Sequence, residues 1–257
     1  MADMELPAWQ QPSLLTALAM PPPVFLPKQL LIIDVETTGL EPDRFECLEV
    51  GAILFSVPHR SVLSQLSFLL PVSANPAVAV NGINPLATQE PQPWQQCLLL
   101  LDAMARDAQL AVAHNASFDR RWFGCGALPE LFMPWLCTME DIAWPKSLGL
   151  RPRPSLRDLA LAFAVPVWAA HRALTDCIYL AQVFERCDDL ENMLLEALEP
   201  RQLYRAQVSY SQRQLAKDAG FRWNEPVRGA WTRRLSERQL KTMDLPFEAE
   251  PVEKEVA

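Results

Sequence analysis

The apolar residues of this chain fall into short runs of two different periods. Leu30-Leu31-Ile32-Ile33 is aliphatic throughout and leads into Asp34-Val35-Glu36-Thr37-Thr38-Gly39-Leu40. Such a run predicts a buried strand. Residues 48–57 and 62–70 predict two further strands that pair with each other. Residues 94–106 change to a helical period, with Trp94, Cys97, Leu98, Leu101 and Met104 on one face. A second short run, Ala111-Val112-Ala113, ends in His114-Asn115-Ala116-Ser117-Phe118-Asp119. Ser155 is placed to cap a helix beginning at Leu156. Residues 172–187 predict a helix whose apolar face is Ile178, Leu180, Ala181, Val183 and Phe184.

The polar residues at the ends of these runs carry the chemistry. A strand alternates its side chains, so Asp34 and Glu36 share one face. Paired carboxylates repel each other, and a cation between them removes that cost. Hard divalent ions such as magnesium or manganese take oxygen ligands. On this pair alone, a solvated strand end explains the pattern equally well. His171 lies five residues before Asp176. If residues 172–187 are helical, His171 sits just ahead of the helix and its side chain can converge with that of Asp176.

Three strings, Asp34-x-Glu36-Thr37-Thr38-Gly39, His114-Asn115-x-x-Phe118-Asp119 and His171-x-Ala173-x-x-Asp176, together resemble the DnaQ-like exonuclease family. The branch is the one with a histidine in its third motif, DEDDh, and the resemblance covers roughly residues 29–190. It implies an α/β fold of the ribonuclease H-like kind, a mixed sheet flanked by helices. It also implies removal of nucleotides from the 3' ends of DNA or RNA with two metal ions, Mg2+ or Mn2+. Asp34, Glu36, Asp119 and Asp176 would then be the metal ligands, and His171 would take the proton from the attacking water. Histidine suits that role because it exchanges protons near neutral pH. Thr37, Thr38, Gly39 and Leu40 would lie beside the terminal nucleotide, with Asn115 and Phe118 as further substrate-binding positions; Asn115 is also placed to hold the helix start near Asp119, and Phe118 to pack in the core. Family members often carry histidine-glycine-isoleucine between the first two motifs. Asn81-Gly82-Ile83 stands there in this chain. His114 is expected to be a hydrogen-bonded strand-end residue, and His59 a solvent-exposed one with no role.

Composition sets the remaining bounds. The chain has 257 residues, of which 50% are hydrophobic, enough for a sizeable core and unlike a disordered protein. No apolar run reaches the roughly 18 residues needed to span a bilayer. The start, Met-Ala-Asp-Met-Glu, lacks the basic character of a secretory signal. The six cysteines form no Cys-x-x-Cys pair and read as reduced, mostly buried thiols of a cytoplasmic protein. The net charge is −8, but it is unevenly spread. Residues 201–244 hold ten basic and four acidic groups, while the chain before residue 201 carries −11. Four of those negative charges are the candidate metal ligands.

The expected organisation is a Pro-rich extension over residues 1–28, with a short helix at Leu14–Met20, and an exonuclease domain over 29–195. A small basic α+β module over 201–245 and an acidic tail over 246–257 follow. In the module, Ser211-x-x-Gln214 and Ser236-x-x-Gln239 read as capping boxes, and Gly220 as a helix stop. Phe221, Trp223 and Trp231 interleave with arginines, as in a base-stacking surface or a very small core. The partners expected are single-stranded DNA or RNA 3' ends, a polymerase or repair protein, and no membrane. An exoribonuclease, a proofreading subunit and a non-catalytic nucleic-acid binding protein are the alternatives.

Overall fold

The computed structural model of the protein describes residues 25–168 and 171–252. The short helix expected at Leu14–Met20 lies outside these residues, as does the end of the acidic tail. The first half of the chain forms strands β1 (Gln29–Thr37), β2 (Cys47–Ser56), β3 (Ser61–Leu69), β4 (Leu110–Ala113) and β5 (Trp135–Cys137). They make one sheet in the order β3-β2-β1-β4-β5. The first three strands are antiparallel, and β4 and β5 run parallel to β1. The helices are α1 (Val78–Asn81), α2 (Pro85–Thr88), α3 (Trp94–Asp107), α4 (Ala116–Asp119), α5 (Leu156–Ala162), α6 (Ala173–Glu185) and α7 (Leu190–Ala197).

Strand β1 is buried on both faces because its apolar residues serve two cores. Leu30 and Ile32 join Ile53, Phe55 and the buried faces of α5, α6 and α7. Leu31, Ile33 and Val35 join Val50, Leu66 and the α3 residues Leu101 and Met104. Each such side chain contributes about 1.5–3 kcal/mol when fully buried. The sequence expectation for α3 holds, with Trp94, Cys97 and Leu98 packed at the margin of its buried face.

The second half builds β6 (Arg201–Ala206), α8 (Arg213–Asp218), β7 (Arg222–Trp223), β8 (Trp231–Ser236), α9 (Glu237–Thr242) and β9 (Ala249–Pro251). Its sheet has the order β7-β8-β6-β9, and all pairs are antiparallel. Tyr204, Ala206, Ala216, Phe221 and Leu235 form a separate small core. Two expectations need correction. The sheet runs past residue 245, because Phe247 packs edge-on against Phe221 and β9 pairs with β6. The first capping box is Ser209 with Gln212, one turn start earlier than Ser211 with Gln214, whose amide instead bonds Asp218. The box at Ser236 and Gln239 forms as expected, and Gly220 follows α8 at φ 78°.

Arginines join the two sheets. The Arg201 side chain is 7% exposed, donates to the Glu140 carbonyl at 3.2 Å and pairs with Asp141 at 3.5 Å. Arg238 pairs with Glu196 at 2.8 Å and Glu199 at 2.9 Å. Part of the basic charge in the second half is therefore structural. All six cysteines are free; Cys137, Cys177 and Cys187 are buried, whereas Cys47 and Cys97 are half-buried and Cys125 is exposed. Among the described residues, no helix is long and apolar enough to cross a membrane.

Candidate active site

The site arises where β1 outruns its neighbour. Its pairing with β4 ends at Ile32, opposite Val112. The backbone of Val35 thus lacks a strand partner on that side, and its N–H donates to Asp119 Oδ1 at 3.2 Å. Asp119 ends the one-turn helix α4 and is 2% exposed. Asp34 and Glu36 point from the same face as Leu30 and Ile32, the face that α6 covers. Asp176 lies in the first turn of α6. Ligand oxygens of Asp34, Glu36 and Asp176 come within 4.8 Å of one another. These three, Asp119 and His171 line one cleft of about 630 Å³.

Burial and mutual repulsion raise every carboxyl of this group. Asp34 is pushed well above the usual carboxylate range by burial and then by Asp119, Asp176 and Glu36. Glu36 rises to about 8, mainly by burial and then by the charge of Asp176. Asp119 rises to about 7 by burial, against the hydrogen bond from Val35. Asp176 rises to about 6 by burial, moderated by the neighbouring His171. A cluster of oxygen donors that resists holding its own negative charge fits hard divalent cations.

The sequence did not reveal what positions α6. Gly51 sits opposite Asp34 in the β1–β2 register. A Cβ on Gly51 would lie 2.3 Å from backbone atoms of Ala173 and Leu174, so glycine lets the start of α6 rest directly on β2. Glu49, opposite Glu36, is 1% exposed. Its carboxylate accepts from Arg172 Nε at 3.0 Å, Arg172 Nη2 at 2.8 Å and the Ala173 N–H at 3.1 Å. This fork holds the residue that follows His171, which adopts φ 60°. A non-glycine residue is strained there and needs its neighbours to hold it. The signal for Glu49 was an acid inside the otherwise apolar stretch Leu48–Phe55.

The other expected residues divide. Thr37, Gly39, Leu40, Asn115 and Phe118 line the cleft. Thr38 does not: it is 4% exposed, and its N–H and hydroxyl both bond the Glu46 backbone. The Thr37 hydroxyl donates to the Gly39 carbonyl at 2.6 Å. Gly39 is needed for close approach, since a Cβ would lie 2.3 Å from the Phe45 ring. Leu40 is 69% exposed at the rim. Asn115 holds α4 through its carbonyl, 2.7 Å from the Phe118 N–H, rather than through a side-chain cap. Asn81 lines the cleft yet is committed to structure, donating to the Thr37 carbonyl at 3.2 Å and accepting from Asn75 at 2.9 Å. His114 is a hydrogen-bonded strand-end histidine as expected. Its Nδ1 lies 3.0 Å from Thr138 Oγ1 and its Nε2 lies 3.1 Å from the Pro154 carbonyl. Burial lowers it to about 4, so it stays neutral near pH 7. His59 is exposed and lies 2.8 Å from Ser56 Oγ.

A mixed sheet of this order, with a carboxylate cluster at the end of its central strand, has the ribonuclease H-like arrangement. The chain belongs to the exonuclease family, whose profile, described as "Exonuclease", matches residues 31–184. A second profile, described as a domain of unknown function, matches residues 202–252. The chain is 30% identical over 170 residues to Exodeoxyribonuclease 10 of Escherichia coli, covering 59% of this chain and 65% of that protein. It is 27% identical over 160 residues to the PolC-type DNA polymerase III of Thermotoga maritima, covering 61% of this chain but 12% of the polymerase. The chain thus spans less than two thirds of the length of either relative. Among solved structures, the nuclease domain of 3'hExo, a DEDDh family member bound to rAMP, aligns with TM-score 0.50 at 15% identity. It covers 65% of this chain and 93% of that one, and supports the fold.

Proposed function

We propose that the chain is a metal-dependent 3'–5' exonuclease that trims single-stranded ends, with DNA as its substrate. The observation that carries this reading is the convergence of Asp34, Glu36 and Asp176 within 4.8 Å, in a cleft that Asp119 and His171 also line. Asp34, Glu36, Asp119 and Asp176 would hold two divalent ions, magnesium or manganese. When bound, such ions activate a water and stabilise the leaving alkoxide of a phosphodiester. His171, exposed at the mouth, accepts the proton of the attacking water. Arg172 and Glu49 keep its backbone in place. Backbone groups of Thr37 and Gly39 meet the terminal nucleotide, Leu40 wedges against its base, and Asn115 and Phe118 form the opposite wall. DNA is favoured because both curated relatives are named for DNA chemistry.

The test separates proton transfer from metal binding. His171→Ala lowers single-turnover cleavage by about 10²–10⁴-fold, the usual worth of a general base. It leaves manganese binding in place, whereas Asp34→Ala weakens both. A His171→Ala enzyme as fast as wild type would remove the assigned role.

A further inference from the structure

The structure holds a second cavity system that the catalytic reading does not use. A groove of about 750 Å³ is lined by residues 151–153 and by α8, β7 and β8 of the second half. A smaller pocket of about 260 Å³ adjoins it, and both share Arg153, Gly220, Arg222 and Glu225. The six cations along them are Arg151, Arg153, Lys217, Arg222, Arg233 and Arg234. The acids are Glu140, Asp141, Asp218 and Glu225. This surface is net positive on a chain of charge −8. Some cations are tied down: Arg153 bonds Glu140 at 2.5 Å, Arg151 meets Asp158 at 3.4 Å, and Arg222 bonds Glu225. Lys217 has no ion pair among the described residues.

Three features point to a strand of nucleic acid as the occupant. Trp223 is 51% exposed on the short strand β7, with its ring backed by Trp231 at 5.7 Å. A large aromatic face beside cations is what sequence-tolerant base stacking requires. Phe221, by contrast, is 2% exposed in the core. Lys217 and Arg234 line the two cavities without an ion pair among the described residues. An exposed cation with no carboxylate of its own is free to meet a phosphate oxygen. Finally, residues of the groove and of the cleft are near neighbours in the chain. Ser155 and Leu156 line the cleft and Arg153 lines both cavities. Two residues of chain span at most about 7 Å. Ser117, between the cleft residues Asn115 and Phe118, lines the smaller pocket.

We propose that this groove carries the single strand upstream of the 3' end, with arginines on its phosphates and a base stacked on Trp223. This rests on the cleft being the exonuclease site. The groove gives the C-terminal module a purpose: it holds the strand that the cleft shortens.

Binding of a 5'-labelled single-stranded oligonucleotide of roughly 16 nucleotides, the upper site size of a single-strand binding module, is measured by anisotropy in chelator. Wild type is compared with Trp223→Ala and Lys217→Glu. Loss of one stacked base weakens binding by about tenfold. Lys217→Glu weakens it as well and lowers the slope against salt by about one or more. In the cleavage assay, both substitutions shrink the advantage in kcat/KM of the long strand over a trinucleotide. Wild-type affinity in both variants would overturn the groove and leave the exonuclease reading intact. A wild-type chain that binds no strand would overturn the groove, and one that also fails to cleave with manganese would overturn the exonuclease reading as well. Lys217 is exposed on α8, so its variant serves even if the Trp223 variant misfolds.

Discussion

Each carboxyl of the cleft holds its proton more tightly in the folded chain than in the unfolded one. Glu36 at about 8, Asp119 at about 7 and Asp176 at about 6 all lie above the ordinary values near 4. Between those limits the metal-free folded chain binds more protons than the unfolded chain. Its stability therefore falls as pH rises from about 4 through 8. Thermal melts in chelator should show a lower Tm at pH 8 than at pH 5.5, and added manganese should restore more at the higher pH. Asp34→Asn should raise the metal-free Tm at pH 8 while abolishing cleavage. A melt that is flat across this range would mean the carboxylates do not repel as the geometry indicates. At this scale the sequence was informative. Asp34, Glu36, Asp119, His171 and Asp176 each sit in a short local string, and the structure brings all five to one cleft. Thr38 lies outside the cleft because its backbone N–H, expected to meet the nucleotide, is taken by the Glu46 carbonyl, a partner no local string displays.

The elements are held in register by contacts that no local string displays. Gly51 reads as one more residue of an apolar strand, and Glu49 as an exception within it. Their purpose is visible only against Arg172 and Ala173, which lie 123 and 124 residues from Glu49 in the chain. Gly51→Ala should force the start of α6 away from β2. The expected cost is about 1–3 kcal/mol in urea unfolding, with a fall in kcat because Asp176 moves with the helix. Wild-type stability and activity would show that α6 does not depend on this approach. Glu49→Ala should destabilise by less than the roughly 3–5 kcal/mol of a fully buried pair, because Arg172 is half-exposed. It should also slow cleavage by releasing the backbone at His171, an effect that Glu49→Gln would share only in part. Strand β9 escaped the sequence reading for a related reason. Ala249-Glu250-Pro251 has neither alternation nor β-branched residues and exists as a strand only because β6 offers an edge.

At the scale of the molecule, the uneven charge distribution gains a structural explanation. The acidic half concentrates carboxylates where cations belong. The basic half divides its arginines between struts to the first half of the chain, such as Arg201 and Arg238, and the walls of the groove. The count of basic residues was legible in the sequence, but this division was not, because it depends on which arginines find acids across the interface. Function at this scale comes down to one reaction. The most direct measurement is a gel assay of 5'-labelled single-stranded DNA and RNA of one sequence, with magnesium, with manganese and with chelator, for wild type and His171→Ala. A metal-dependent ladder that shortens from the 3' end, stronger on DNA and nearly lost in the variant, is expected. Strand binding without cleavage under any of these conditions would contradict it and mark the cleft as a binding site alone.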